Sequence, residues 1–121
     1  MLLDYWVAME IHFCTRKLQN LCNSKEETIR RWGALRAAVV RRRLKQLKAA
    51  KNLSVIKSLP GQRLRVLTGR RKGELALDAQ YPLGVIFVPT QKNNFHAADD
   101  QMNLVRVSAI TLLAITEYDG D

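Results

Sequence analysis

The sequence predicts an α+β fold, with a short N-terminal strand and helices packed on one face of an antiparallel sheet. Two observations carry that expectation. Residues 34–51 contain no Gly or Pro and space Leu35, Val39, Val40, Leu44, Leu47 and Ala50 near the helical period. After Pro60-Gly61 the period becomes two: Arg63-Leu64-Arg65-Val66-Leu67 and Glu74-Leu75-Ala76-Leu77-Asp78 each alternate. At 121 residues the chain makes one domain, with a core that needs no disulfide or metal staple.

Taken in order, Glu10-Ile11-His12-Phe13-Cys14 alternates and predicts a strand that buries Ile11 and Phe13. Thr15 can cap a helical turn that carries Leu18, Leu21 and Cys22 on one side. Ser24-Lys25-Glu26-Glu27 is a capping-box pattern, so a second helix starts at Lys25, with Gly33 either a tolerated weak point or a break. Arg41, Arg42, Lys45 and Lys48 fall largely on the outer side of that helix. Ser54 can cap one more turn before Pro60-Gly61. Gly69-Arg70-Arg71-Lys72-Gly73 reads as a hairpin loop, and Val85-Ile86-Phe87-Val88 as a strand closed by Pro89. Residues 90–103 are polar and predict a loop, and residues 104–118 are apolar and β-branched enough for a long inner strand. The apolar stretch over residues 1–8 either extends the first strand or precedes a start at Met9, so a domain spanning 9–121 is expected.

Charge narrows the class of partner. The chain has 20 Lys+Arg against 11 Asp+Glu, a net charge of +9, and the excess is concentrated. Eighteen of those cations lie in residues 16–72 against only Glu26 and Glu27, a balance of +16, while the remaining residues carry −7. Such a field favours a polyanion, nucleic acid above all, although part of it also suits the solvated face of a long helix. No uncharged stretch is long enough to span a bilayer, and Met1-Leu2-Leu3-Asp4 lacks the basic start of a secretory signal. With only Cys14 and Cys22, eight apart, neither a disulfide framework nor a zinc or Cys-x-x-Cys site is expected. The expectation is a reduced cytoplasmic protein whose two thiols line the core. His12 and His96 are isolated, which favours structural or solvated roles over metal binding.

Several segments in order carry a family resemblance. They are Arg16-Lys17-Leu18 with Leu21-Cys22, then Arg41-Arg42-Arg43-Leu44-Lys45-Gln46-Leu47 and Leu59-Pro60-Gly61. Leu67-Thr68-Gly69-Arg70-Arg71-Lys72-Gly73, Tyr81-Pro82, Ile86-Phe87 and Glu117-Tyr118-Asp119-Gly120 follow. From residue 9 onward the chain resembles the HigB-like "killer protein" branch of the RelE/ParE toxins of bacterial type II toxin–antitoxin systems. The resemblance implies helices on a curved antiparallel sheet and a ribosome-dependent endoribonuclease that cuts mRNA. It also implies silencing by a cognate helix-turn-helix antitoxin of the HigA type. Such chemistry needs no metal or cofactor: the 2′-OH attacks the adjacent phosphate, a base and an acid move protons, and cations stabilise the phosphorane.

Carried over by position, the resemblance makes Arg65, Tyr118 and Asp119 the catalytic candidates. Arg65 stands on a neighbouring strand where relatives place His, Gly84 where they place Arg, and Tyr118-Asp119 where they place Tyr-His. Tyr118 can stack on a base or simply cover the core, and Arg65 can face RNA or solvent. Arg41, Arg42, Arg70, Arg71 and Lys72 are the candidates for RNA phosphate. Trp32 reads as a packing anchor and Asp99-Asp100 as loop solvation. The alternatives are a ParE-like inhibitor of DNA gyrase, which needs no nuclease residues, and a non-catalytic RNA- or protein-binding relative.

Overall fold

Alternation of inward Ile11 and Phe13 with exposed Glu10 and His12 forms β1 (Glu10–Phe13) in the computed structural model, which describes residues 8–60, 63–90 and 104–118. Thr15 caps α1 (Arg16–Cys22), its Oγ1 accepting from the Leu18 N–H at 3.1 Å. Ser24 caps α2 (Lys25–Ala49) in the same way, accepting from the Glu27 N–H at 3.1 Å. Gly33 kinks α2: its φ of 83° and ψ of 164° suit glycine and strain any residue with a Cβ. Beyond the kink, Val40 and Leu47 are buried, as the helical spacing predicts, and Ala37 joins them, whereas Leu35, expected on the same face, is 79% exposed and the expectation is corrected for it. The cap of α3 (Leu53–Ser58) is Asn52 rather than the expected Ser54. Its Oδ1 accepts from the N–H groups of Ser54 and Val55 at 2.9 and 3.3 Å, so the helix starts at apolar Leu53.

The remaining strands are β2 (Leu64–Val66), β3 (Leu75–Asp78), β4 (Leu83–Pro89) and β5 (Ala109–Glu117). They form one sheet in the order β1-β5-β4-β3-β2. β2 to β5 pair antiparallel in sequence, but β1 runs parallel to β5, with Ile11 opposite Ile110 and Phe13 opposite Leu112. The expected antiparallel sheet is therefore corrected to a mixed one. Alternation says which face a residue takes but nothing about strand direction. The helices and the meander between β1 and β5 supply the long crossover that a parallel pair requires. The last apolar run is also shorter as a strand than expected: Leu104–Arg106 is a single 3-10 turn, and pairing begins at Ala109.

The helices cover one face of the sheet, where Val40, Leu47, Leu53 and Ile56 meet Leu75, Leu77, Val85, Phe87 and Leu112. Each fully buried side chain there contributes about 1.5–3 kcal/mol. Trp32 packs against the edge of this core, as an anchor should. On the opposite face Leu67, Ala76, Ile86 and Tyr118 form a second, smaller cluster. A bulge lets β5 serve both faces, because Leu112 pairs Phe87 while Ala114 pairs Ile86, leaving Leu113 as the extra residue. The thiols do not behave alike. Cys22 is half-buried, and burial pushes its thiol up to about 11. Cys14 is exposed just past the edge strand and donates to the Leu113 carbonyl at 3.3 Å, so the expected core position is corrected for it. Among the described residues no helix is long and apolar enough to cross a membrane. The expected extension over 1–8, apart from Ala8, and the loop at 91–103 with His96 and Asp99-Asp100 lie outside the described residues.

Candidate functional site

The antiparallel register brings the start of β2, the end of β3, the start of β4 and the end of β5 to one end of the sheet. Arg65 pairs Ala76, Asp78 pairs Gly84, and Leu83 pairs Glu117. Ala76 and Asp78, two apart on β3, share the face opposite the helices, and Arg65 stands level with them. Tyr118 follows β5 directly, and its N–H donates to the Pro82 carbonyl at 3.0 Å, which ties it to the β3–β4 turn.

Asp78 is the centre of the cluster and is 8% exposed. Its Oδ1 accepts from the Tyr118 hydroxyl, while Oδ2 accepts from Arg63 Nε at 2.9 Å and lies 3.5 Å from Arg65 Nη2. From α2, Arg43 Nε donates to the Asp78 backbone carbonyl at 2.8 Å. Above the carboxylate, the rings of Tyr81 and Tyr118 meet edge to face with centroids 5.4 Å apart. The Arg65 guanidinium lies 5.1 Å from the Tyr81 centroid and 5.8 Å from that of Tyr118, and Arg63 lies 5.7 Å from Tyr81. Arg63 and Arg65 on the carboxylate, with Arg43 on the backbone carbonyl of the same residue, leave a net charge of +2. Burial and the neighbouring Arg42 lower the Arg43 pKa, against the opposing pull of Asp78.

Gly84 makes the arrangement possible. A Cβ there would lie 2.6 and 2.8 Å from Cε1 and Cδ1 of Tyr118, closer than any real contact allows. The Tyr118 ring therefore lies flat against bare backbone, in the space that an arginine at this position would need. The ring is 7% exposed, which leaves Tyr81, at 46%, as the accessible aromatic of the pair.

Burial first, and then donation to Asp78, raise the Tyr118 pKa well above the ordinary tyrosine value. A raised acid pKa means that the folded state holds its proton more tightly than the unfolded chain. The corresponding stability is complete below about pH 10 and is lost as pH rises further, at up to about 1.4 kcal/mol per pH unit. In Tyr118→Phe that extra alkaline slope should vanish. Urea midpoints of both proteins from neutral pH to pH 11 check this, and parallel curves would reject it.

The other sequence candidates are dispersed. Arg42 lines a cleft of about 540 Å³ with Arg43, Arg63, Gln80 and Tyr81, beside the Asp78 cluster. Arg41, one residue earlier, turns away: its Nη1 donates to Thr28 Oγ1 at 3.1 Å, and it lines a second cleft with Ile11, Phe13 and Lys48. Arg70, Arg71 and Lys72 occupy a 3-10 turn (Gly69–Arg71) and its end, at the far end of the β2–β3 hairpin from Asp78. Arg71 is paired with Glu74 at 2.9 Å, whereas Arg70 and Lys72 are exposed. Arg65 and Tyr118 meet, but from strands separated by β3 and β4 rather than from neighbours. Asp119 lies outside the described residues. His12 is exposed on β1, at the opposite edge of the sheet from β2, and bonds Glu10 at 3.2 Å.

Asp78, Arg63, Arg43 and Tyr81 belong to the cluster without having stood out in the sequence. The available signal was the pairing of Arg63 and Arg65 with an acid that closes the next alternating strand. Among the described residues no group of three His, Cys, Asp or Glu could hold a metal ion. Chemically, the cluster offers oriented cations for a phosphate and flat surfaces for a base. No family model matches the chain, and no curated protein or solved structure matches it.

Proposed function

We propose that the chain is a HigB-like toxin of the RelE/ParE superfamily that binds mRNA on the ribosome and cuts it without a metal. In this reading a cognate HigA-type helix-turn-helix antitoxin holds it silent in the cytoplasm. The observation that supports it best is the packing of Arg63 and Arg65 against Tyr81 and Asp78, at the sheet end that also holds Tyr118. The guanidinium of Arg65, fixed between two rings and a carboxylate, binds a phosphate oxygen as charge develops on the phosphorane. Tyr118, with its hydroxyl committed to Asp78 and its pKa raised, positions this group rather than stacking on a base. Tyr81 takes the stacking role instead. Among the described residues no imidazole stands at this end of the sheet, so proton transfer falls to weaker groups and cleavage is slow beside that of a His-bearing relative.

Mapping 5′ ends on programmed ribosomes tests the reading. Discrete cuts that persist when free metal is chelated, with ribosomes kept intact, are the expected result. Cleavage that stops on chelation overturns the metal-free chemistry. Growth arrest with no cuts moves the assignment to gyrase poisoning. RNA binding should also be salt-dependent, because the basic helical half supplies counterion release. Neutralising Arg70, Arg71 and Lys72 should flatten the slope of log affinity against log salt by about two units, since Arg71 is already paired with Glu74. An unchanged slope would place the RNA elsewhere.

A further inference from the structure

We propose that the cleft bounded by β1, α1 and α2 is a binding site for a small amphipathic carboxylate, a straight-chain fatty acid. The cleft lies at the β1 edge of the sheet and shares no residue with the Asp78 cluster, so the inference stands apart from the RNA-directed reading above.

The cleft, about 410 Å³, falls in the range of small-ligand sites. Its floor is apolar. Ile11 and Phe13, two apart on β1, project to the same side of the strand, and Leu44 of α2 joins them. All three are half-buried at the border of the main core, which leaves part of their apolar surface toward the cleft. Arg41, Lys45 and Lys48 stand along the α2 side, and their spacing puts them on one face over about 10 Å of helix. Among the described residues none of the three pairs with a carboxylate, and no Asp or Glu lines the cleft. An apolar trough under uncompensated cations matches a ligand with an apolar body and one anionic end.

Arg41 fixes the anionic end. Its Nη1 donates to Thr28 Oγ1 at 3.1 Å, and that fully buried hydroxyl donates its own proton to the Lys25 carbonyl at 2.7 Å. The hydroxyl oxygen can then only accept, so the guanidinium is oriented before a ligand arrives, with Nε and Nη2 left for a carboxylate. Lys45 and Lys48 are exposed, and their methylene stems can lie along the trough while the ammonium groups strengthen the field. The cationic row is long beside a floor of two strand residues, which suits an extended methylene chain better than a compact ring system. An acidic peptide would also match the row, but one oriented fork provides for one carboxylate, and the volume for one chain.

The test titrates the full chain with decanoate below its micelle concentration and reads the heat of binding. A second readout is the rate at which a thiol reagent labels Cys22 in a Cys14→Ser background, because Cys22 lines the cleft and Cys14 is the exposed thiol. Decanoate should bind and slow the labelling of Cys22, while decanol and decyltrimethylammonium should bind about 10-fold more weakly or less. Shortening the chain to octanoate and hexanoate should weaken binding by about 2- to 4-fold per methylene. Arg41→Gln should weaken decanoate about 10-fold, the effect of losing one charged fork. Lys45→Glu, at an exposed position where the fold is not at stake, should weaken it as well. Equal binding of the ammonium analogue overturns the role of the cations, and an affinity independent of chain length overturns the apolar floor. Binding that leaves Cys22 labelling unchanged and survives both substitutions is adsorption on the basic surface at large, and overturns the site. An acidic amphipathic peptide that slows Cys22 labelling where decanoate does not would make the cleft a protein dock and overturn the small-ligand assignment.

Discussion

In Arg65→Ala, single-turnover cleavage of mRNA on programmed ribosomes should fall by about 10²-fold or more, the usual effect of removing one donor aimed at developing charge. Arg65 is well placed for an effect of that size. Its side chain is 18% exposed, lies against the Tyr81 and Tyr118 rings, and sits 3.5 Å from Asp78, so its planar fork is oriented before RNA arrives. Preorganisation is what separates a transition-state donor from a surface charge, which would reorient at a cost of its own. Arg65→Lys should recover little of the loss, because an ammonium keeps the charge but not the fork. Asp78 retains Arg63 and Tyr118 in the variant, so the fold should lose only about 1–2 kcal/mol. A normal rate in Arg65→Ala would exclude this residue from the chemistry. A rate lost only in proportion to unfolded protein would make its role structural.

The elements that were legible in the sequence are those fixed by local chemistry. The capping pattern at Ser24 depends on a few adjacent residues and occurs in the structure, and Gly33, which the sequence left open as a weak point or a break, is a kink. Alternation likewise located β3, and the apolar run before Pro89 located β4, both strands being buried on their two faces. What depended on distant partners was not legible. The direction of β1 is set by its pairing with β5, nearly the whole chain away. Cys14 lost its expected place in the core because alternation puts it out of phase with Ile11 and Phe13 at an edge strand. Ser54 gave way as cap to Asn52, whose side-chain oxygen reaches the first N–H groups of α3.

The site divides along the same line. Arg65 and Tyr118 were named from their positions, and the structure brings them together. The residue that joins them, Asp78, looked like the polar end of an alternating strand. Its partners Arg63, Arg65 and Tyr118 converge only through the register of four strands. Gly84 reads in sequence as a missing arginine, and the structure gives it a positive role as the floor beneath the Tyr118 ring. Arg41 and Arg42, adjacent in sequence, line different clefts because successive helical residues point about 100° apart.

Asp78→Ala should cost about 3 kcal/mol of stability, more than any single change at the exposed 70–72 turn. The buried carboxylate is the shared acceptor of the Tyr118 hydroxyl and of Arg63, with Arg65 beside it. Removing it strands a buried phenol and leaves neighbouring guanidinium groups facing one another without their counter-ion. Stranding one partner of a buried ion pair is costly even where the intact pair contributes little, because the desolvation of the remaining charge is no longer offset. Asp78→Asn separates the two components. Its amide oxygen can still accept from Tyr118 while the counter-charge is gone, so its loss should be smaller, about 1–2 kcal/mol. The same substitution removes one cause of the raised Tyr118 pKa, so the alkaline stability loss should still begin near pH 10 but be smaller and level off at lower pH than in the parent chain. Urea unfolding from neutral pH to pH 11 measures both effects, provided the m-value is unchanged. A cost under about 1 kcal/mol for Asp78→Ala would mean that Arg63 and Arg65 do not depend on this carboxylate, and the site would have to be rebuilt around another anion.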